Sequence, residues 1–216
     1  MTRINVLVGG PVSEWAPELA QPEMIDGQWV TADRGTWRLL QKGVTPVVSV
    51  GDFDSLTAAE RTTVQSAVKD IRSVQAEKDD TDTQLALSIA LTEFNADQVV
   101  LYGATGGRLD HFLANLFMPL ETRFKPFLDR LEMRDRQNTI RFYAPGTYQL
   151  QKEADKRYLA FVPLVATTGL NLIDEKYRLV DYQTQVPISW ASNEFIGETG
   201  QFSFETGVVA VIQSKD

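Results

Sequence analysis

The chain has 216 residues, 43% hydrophobic and 23% charged, enough apolar material for one large domain or two small ones and too little charge for a disordered chain. It has no cysteine and a single histidine, His111, which excludes disulfides, Cys-ligated zinc, iron–sulfur clusters, a thiol nucleophile and poly-histidine metal sites. The net charge of −8 argues against nucleic acid as a partner, and no run approaches the roughly 20 apolar residues that span a bilayer.

The first apolar run, Ile4–Val8, is broken by Asn5 and too short for a secretory signal, so a cytoplasmic protein is expected. The next predicted strand, Trp29–Ala32, ends in Asp33-Arg34-Gly35, and Val47–Val50 ends in Gly51-Asp52-Phe53-Asp54-Ser55. A predicted helix follows over Thr57–Val68. Ile71–Val74 leads to Glu77-Lys78-Asp79-Asp80-Thr81-Asp82, then a predicted helix over Thr83–Phe94 with Leu85, Ile89 and Leu91 among alanines. Gln98–Tyr102 ends in Gly103-Ala104-Thr105-Gly106-Gly107-Arg108-Leu109-Asp110-His111. Strands alternating with helices predict an α/β domain with a mostly parallel sheet over residues 1–125. From 130 to 216 the pattern changes to short alternating strands, among them Thr139–Tyr143, Tyr148–Leu150, Tyr158–Pro163, Tyr177–Val180, Phe202–Phe204 and Val208–Ile212. These predict an all-β sandwich as a second domain.

The unusual residues all fall where a strand has just ended, which in an open parallel sheet is the ligand-binding edge. In an extended segment Asp52 and Asp54 share a face and Phe53 turns inward, a pairing that suits a hard cation such as Mg2+. The competing reading makes Asp54 or Ser55 a helix cap and Asp52 a turn residue. Asp79 and Asp82 stand on one side of a predicted first helical turn, where capping alone would also favour them. Four or five carboxylates together make a site that one or two Mg2+ would neutralise. Gly106 and Gly107 open a loop whose backbone can approach an anion, and Arg108 supplies a fork suited to phosphate. The loop is neither a Walker A sequence nor a dinucleotide fingerprint, and His111 beside Asp110 is either a base or an orienting or packing residue. Carboxylates for a cation beside donors for phosphate are equipment for phosphoryl or pyrophosphoryl transfer.

Gly51-Asp52-Phe53-Asp54-Ser55 and Gly106-Gly107-Arg108-Leu109-Asp110-His111, with Ala32-Asp33-Arg34-Gly35 and Asp79-Asp80-Thr81-Asp82, resemble the motif series of the thiamine pyrophosphokinase family in order and spacing. Ser192-Asn193-Glu194-Phe195 and the late Ile212-Gln213-Ser214 resemble the C-terminal part of its bacterial members. The resemblance implies an α/β domain, a β-sandwich domain and a homodimer. It also implies transfer of pyrophosphate from ATP to the hydroxyl of thiamine with Mg2+, giving AMP and thiamine diphosphate. It places the metal on Asp52, Asp54 and Asp82 with Asp79 close by. It assigns the nucleotide to Asp33, Arg34, Gly51, Ser55, Lys78, Thr81, Gly106, Gly107 and His111. Arg108 would steady the transferred group, and Asp79 or Asp110 would accept the hydroxyl proton. Ser192, Asn193 and Trp190 would meet thiamine, with Tyr177 as another stacking candidate. Two departures stand out. Arg34 replaces a glycine common in the family, and Gly169-Leu170-Asn171-Leu172 lacks the tryptophan that animal members carry there. The rival readings are another Mg-dependent phosphotransferase or nucleotide hydrolase, and a non-catalytic sensor of a nucleotide or thiamine diphosphate.

Overall fold

A computed structural model describes residues 1–74 and 79–216. The chain packs as two compact units, one formed by Met1–Met118 with Arg130–Arg136 and the other by Pro119–Asp129 with Gln137–Asp216.

The first unit carries strands β1 (Arg3–Leu7), β2 (Gln28–Ala32), β3 (Val48–Gly51), β4 (Ile71–Ser73), β5 (Gln98–Tyr102) and β6 (Leu131–Arg134) in the order β6-β5-β1-β2-β3-β4. Every neighbouring pair is parallel. β1 and β5 are interior strands, and Ile4, Val6, Leu7, Val99, Val100 and Leu101 are buried, as expected of strands covered on both faces. Helices α1 (Arg34–Gln41), α2 (Ala58–Ala67), α3 (Asp82–Ser88) and α4 (Leu109–Phe117) follow β2, β3, β4 and β5. The order reverses on either side of β1, so the chain leaves β1 and β5 in opposite directions and opens a crevice at their carboxyl ends.

Local chemistry fixes the helix starts. Thr57 and Glu60 form a reciprocal capping box on α2, and Thr81 and Gln84 form one on α3. α3 therefore begins at Asp82, so Asp79 precedes the helix rather than sharing its first turn. α3 runs into a π-helical turn, Ile89–Glu93, where a continuous α-helix was expected. β6 was not legible as a strand, since Leu131-Glu132-Met133-Arg134 is only four residues long. Its parallel pairing with β5 places Arg130–Arg136 in the first unit, so the two units are not separated by the single cut between 125 and 130 that composition suggested.

The second unit has two antiparallel sheets. One runs β12 (Trp190–Asn193), β9 (Tyr158–Pro163), β14 (Val209–Ser214), β7 (Asn138–Tyr143), and the other β11 (Leu179–Thr184), β10 (Thr167–Leu172), β13 (Thr199–Phe204), β8 (Gly146–Gln151). Its core takes Leu159, Phe161, Val209 and Val211 from the first sheet and Leu150, Leu170, Leu172, Phe202 and Phe204 from the second. Alternate residues of each strand supply it, the period-two pattern of a sandwich.

Candidate active site

The carboxyl ends of β1, β2, β3 and β5 and the start of α3 line one cleft of about 690 Å³, within the range of small-molecule sites. Asp33, Arg34, Asp52, Asp54, Ser55, Asp79, Thr81, Asp82, Gly107, Arg108 and His111 all line it. Four turns far apart in sequence thus reach one edge of the first unit.

The acidic side is built around Asp33. Its backbone N–H donates to Val50 O at 3.1 Å, and the first turn of α1 is pinned below it by a buried hydroxyl chain, Thr31–Thr36–Ser49. Asp33 sits at φ 44°, ψ −124°, a backbone region costly for a side-chain-bearing residue by about 1–3 kcal/mol. The strained turn aims its carboxylate across to the next strand end, where Oδ1 accepts from the Phe53 N–H at 3.1 Å. A Cβ at Gly51 (φ 145°) would lie 2.0 Å from that oxygen, so Gly51 lies behind the site and makes room for the carboxylate. Asp52 and Asp54 do line the cleft with Phe53 buried, but not through an extended segment. Asp52 Oδ1 accepts from the Asp54 N–H at 2.9 Å and Phe53 takes φ 57°, so a tight turn makes the division of faces.

Burial, then a hydrogen bond and like charge from Asp82, push the Asp33 carboxyl up to about 7; the Phe53 N–H opposes this and Asp52 adds to it. Among the described residues no three acidic or histidine side chains are gathered tightly enough to hold a metal by themselves. Arg34 leaves this cluster, donating to Ser55 O and pairing with Glu60 at 3.5 Å.

The opposite side is the glycine-rich loop. Arg108 precedes α4 and pairs with Asp110 at 2.5 Å, both exposed. That bond holds the Asp110 carboxyl down at about 2. Gly106 and Asp110 do not line the cleft, and Lys78 lies outside the described residues.

Several lining residues were missed in the sequence: Gly9, Gly10 and Pro11 after β1, and Ala104, Thr105 and Asn115 around the glycine loop. Arg38 of α1 donates to the carbonyls of both Gly9 and Gly10 and ties the β1 loop down. A Gly-Gly pair directly after the first apolar run was the available signal.

The remaining sequence candidates lie on the second unit. Asn193 is 2% exposed, and its amide accepts from the Tyr177 N–H at 2.8 Å and donates to Tyr177 O at 2.7 Å. It is an internal brace. Ser192 beside it is exposed in a left-handed conformation (φ 59°). Trp190 packs on the sandwich core with its ring edge-on to Tyr182 at 5.1 Å, whereas Tyr177 is 59% exposed.

Residues 26–127 match the model of the thiamin pyrophosphokinase catalytic domain, and 147–209 match that of its vitamin B1 binding domain. The chain is 38% identical to thiamine pyrophosphokinase of Bacillus subtilis (strain 168), with all of both chains covered. The crystal structure of a thiamin pyrophosphokinase family protein from Enterococcus faecalis shares 46% identity and superposes with a TM-score of 0.93 over the whole of both chains. The structure of thiamine pyrophosphokinase from Bacillus subtilis matches with a TM-score of 0.85 at 36% identity, again over the whole of both chains. Both halves of the sequence, and the residues that converge on the cleft, lead to one conclusion: the chain belongs to the thiamine pyrophosphokinase family.

Proposed function

We propose that this chain moves the terminal pyrophosphoryl group of ATP onto the hydroxyl of thiamine, releasing AMP and thiamine diphosphate, with Mg2+ and as a cytoplasmic homodimer. The division of a single cleft carries this reading: carboxylates from the β2 and β3 turns and the α3 start on one side, a glycine-rich loop with Arg108 on the other.

The acidic side fits magnesium. Its donors are hard carboxylate oxygens, and the contact of Asp33 with Asp82 is a like-charge strain that a divalent cation relieves. Magnesium commonly takes one or two carboxylates and completes its shell with phosphate oxygens and water, so a closed protein cage is not needed. Asp52, Asp54 and Asp82 would hold it, with Asp79 at the lip. When bound, the metal neutralises charge on the phosphate oxygens.

The chain's own groups orient the reactants. The Gly106-Gly107 loop and Thr81 offer backbone and hydroxyl donors to phosphate. An exposed ion pair is worth little, so Arg108 can turn from Asp110 to the transferred group at small cost. Asp110 does not line the cleft, which leaves Asp79 as the carboxylate placed to accept the proton of the thiamine hydroxyl. Loose phosphoryl-type transition states ask little of such a base. On the second unit, Ser192 and the exposed Tyr177 ring are the groups we assign to thiamine, a cationic aromatic ligand that favours aromatic faces. A homodimer would cover Leu109, Leu113 and Phe117, an exposed apolar stripe at i, i+4 and i+8 on α4.

The test is chromatographic. Purified protein with ATP, Mg2+ and thiamine should yield AMP and thiamine diphosphate in equal amounts, and EDTA should stop both. ADP with thiamine monophosphate, or ATP loss without thiamine chemistry, would replace this reading with the phosphotransferase or hydrolase. Binding without turnover would leave the sensor.

A further inference from the structure

The glycine-rich loop is held in shape by residues outside its own motif. Gly103 O accepts from the Gly10 N–H at 2.9 Å, and Ala104 O accepts from Asn115 Nδ2 at 2.9 Å. The Thr105 hydroxyl donates to Asp135 Oδ2 at 2.6 Å, with Thr105 and Asp135 only 9% and 8% exposed. Gly106 (φ 76°) packs against the Glu14 side chain, where a Cβ would come within 2.4 Å of Cγ. Glu14 in turn accepts the Arg136 N–H at its backbone carbonyl, 2.9 Å away. In a trans peptide the N–H points opposite the C=O, so the bonds to Gly103 O and Ala104 O also fix where the N–H groups of Ala104 and Thr105 point.

Asp135 is the unexpected member. It lies just after β6, far from the loop in sequence, and it places a carboxylate behind an edge meant for an anionic substrate. A carboxylate there repels phosphate, so its presence calls for another role. The Thr105 proton is committed to it, which prevents Thr105 from donating to a phosphate and makes the pair a fastening between β6 and the loop.

Resting on the functional reading above, we propose that Asp135 is a positioning residue for ATP, acting through the Thr105 hydroxyl to fix the glycine-rich loop in its phosphate-receiving shape. Asp135 does not line the cleft. The role requires an acceptor at 135 and a hydroxyl at 105, not a negative charge.

Four variants test this with two readouts, the dissociation constant of Mg-ATP by calorimetry and KM for ATP and for thiamine. Thr105→Val and Asp135→Ala should each weaken ATP binding about tenfold, the loss of one good hydrogen bond, and leave KM for thiamine unchanged. Thr105→Ser and Asp135→Asn, which keep the hydroxyl and the acceptor, should stay within about threefold of the wild type. Folded Thr105→Val and Asp135→Ala variants that bind ATP normally, whatever their thermal midpoints, would reduce the pair to a structural brace and overturn the proposal. If both fail to fold, Thr105→Cys, similar in size with a weaker donor, decides: looser ATP binding supports the proposal and unchanged binding overturns it. The wild-type control separates the two levels. Failure of the wild type to bind ATP removes the functional reading and this proposal together, whereas normal binding with indifferent variants removes only the proposal.

Discussion

Asp33 in the first unit and Glu175 in the second both carry carboxyls pushed up to about 7, each first by burial, and they differ in what surrounds them. Burial and the neighbouring Asp82 raise Asp33, in an open cleft lined by further aspartates. Burial raises Glu175, with Asp174 adding to it and backbone N–H groups opposing it, and its Oε1 has no hydrogen-bond partner in a closed core. At Asp33 like charge adds to burial, and a cation removes that added part. At Glu175 the main cause is desolvation in a core closed to ligands. A raised carboxyl therefore points to function only where the geometry leaves space for the chemistry that would lower it.

The comparison can be broken at the cleft first. Asp54→Ala should cut turnover by at least about a hundredfold, the order seen when a charge-stabilising group is lost, while near-UV circular dichroism stays native. A folded variant with near-normal turnover would take Asp54 out of the metal site. Next, saturating Mg2+ with ATP should raise the thermal midpoint of the wild type, by about 2.7 kcal/mol of added stability at a hundredfold excess over the dissociation constant. Asp82→Asn should lose most of that gain, and an equal gain in the variant would count against Asp82 as a ligand.

Two buried polar groups of the second unit are tested by stability. Asn193→Ala leaves the Tyr177 N–H and C=O without their partner and should cost about 1–3 kcal/mol, read in urea unfolding, with ATP affinity unchanged. The last test is at Glu175, where the effect is confined to high pH. Its folded pKa lies above the ordinary 4.5, so its contribution to stability is fully present below 4.5 and is lost as pH rises through 7. Glu175→Gln should thus melt above the wild type at pH 8 and show no such gain at pH 4.5. An equal shift at both pH values would mean that packing, not ionisation, sets the difference.

The sequence was most legible where local chemistry decides. The capping residue Thr57 and the glycine and aspartate turns were visible because caps and turns are written in adjacent residues. The four strand ends could be assigned to one edge because parallel pairing puts them there. What stayed hidden depends on distant partners. The Gly9-Gly10 loop gains its place from Arg38, and Asp135 gains its role from Thr105, pairs set by topology. The resemblance places Asn193 near thiamine, and the sequence alone does not show that its amide also braces the backbone. The fold shows that amide bonded to the Tyr177 backbone at both its oxygen and its nitrogen. Asp79 precedes the helical turn its spacing predicts, because the Thr81 cap starts α3 at Asp82.

The central claim is that this cleft transfers a pyrophosphoryl group, not a single phosphoryl group. Parallel reactions with ATP labelled at the β or at the γ phosphorus test it most directly. Both labels should appear in thiamine diphosphate, one of each per thiamine, with unlabelled AMP released. Transfer of the γ label alone, with the β label retained in ADP, would contradict the account.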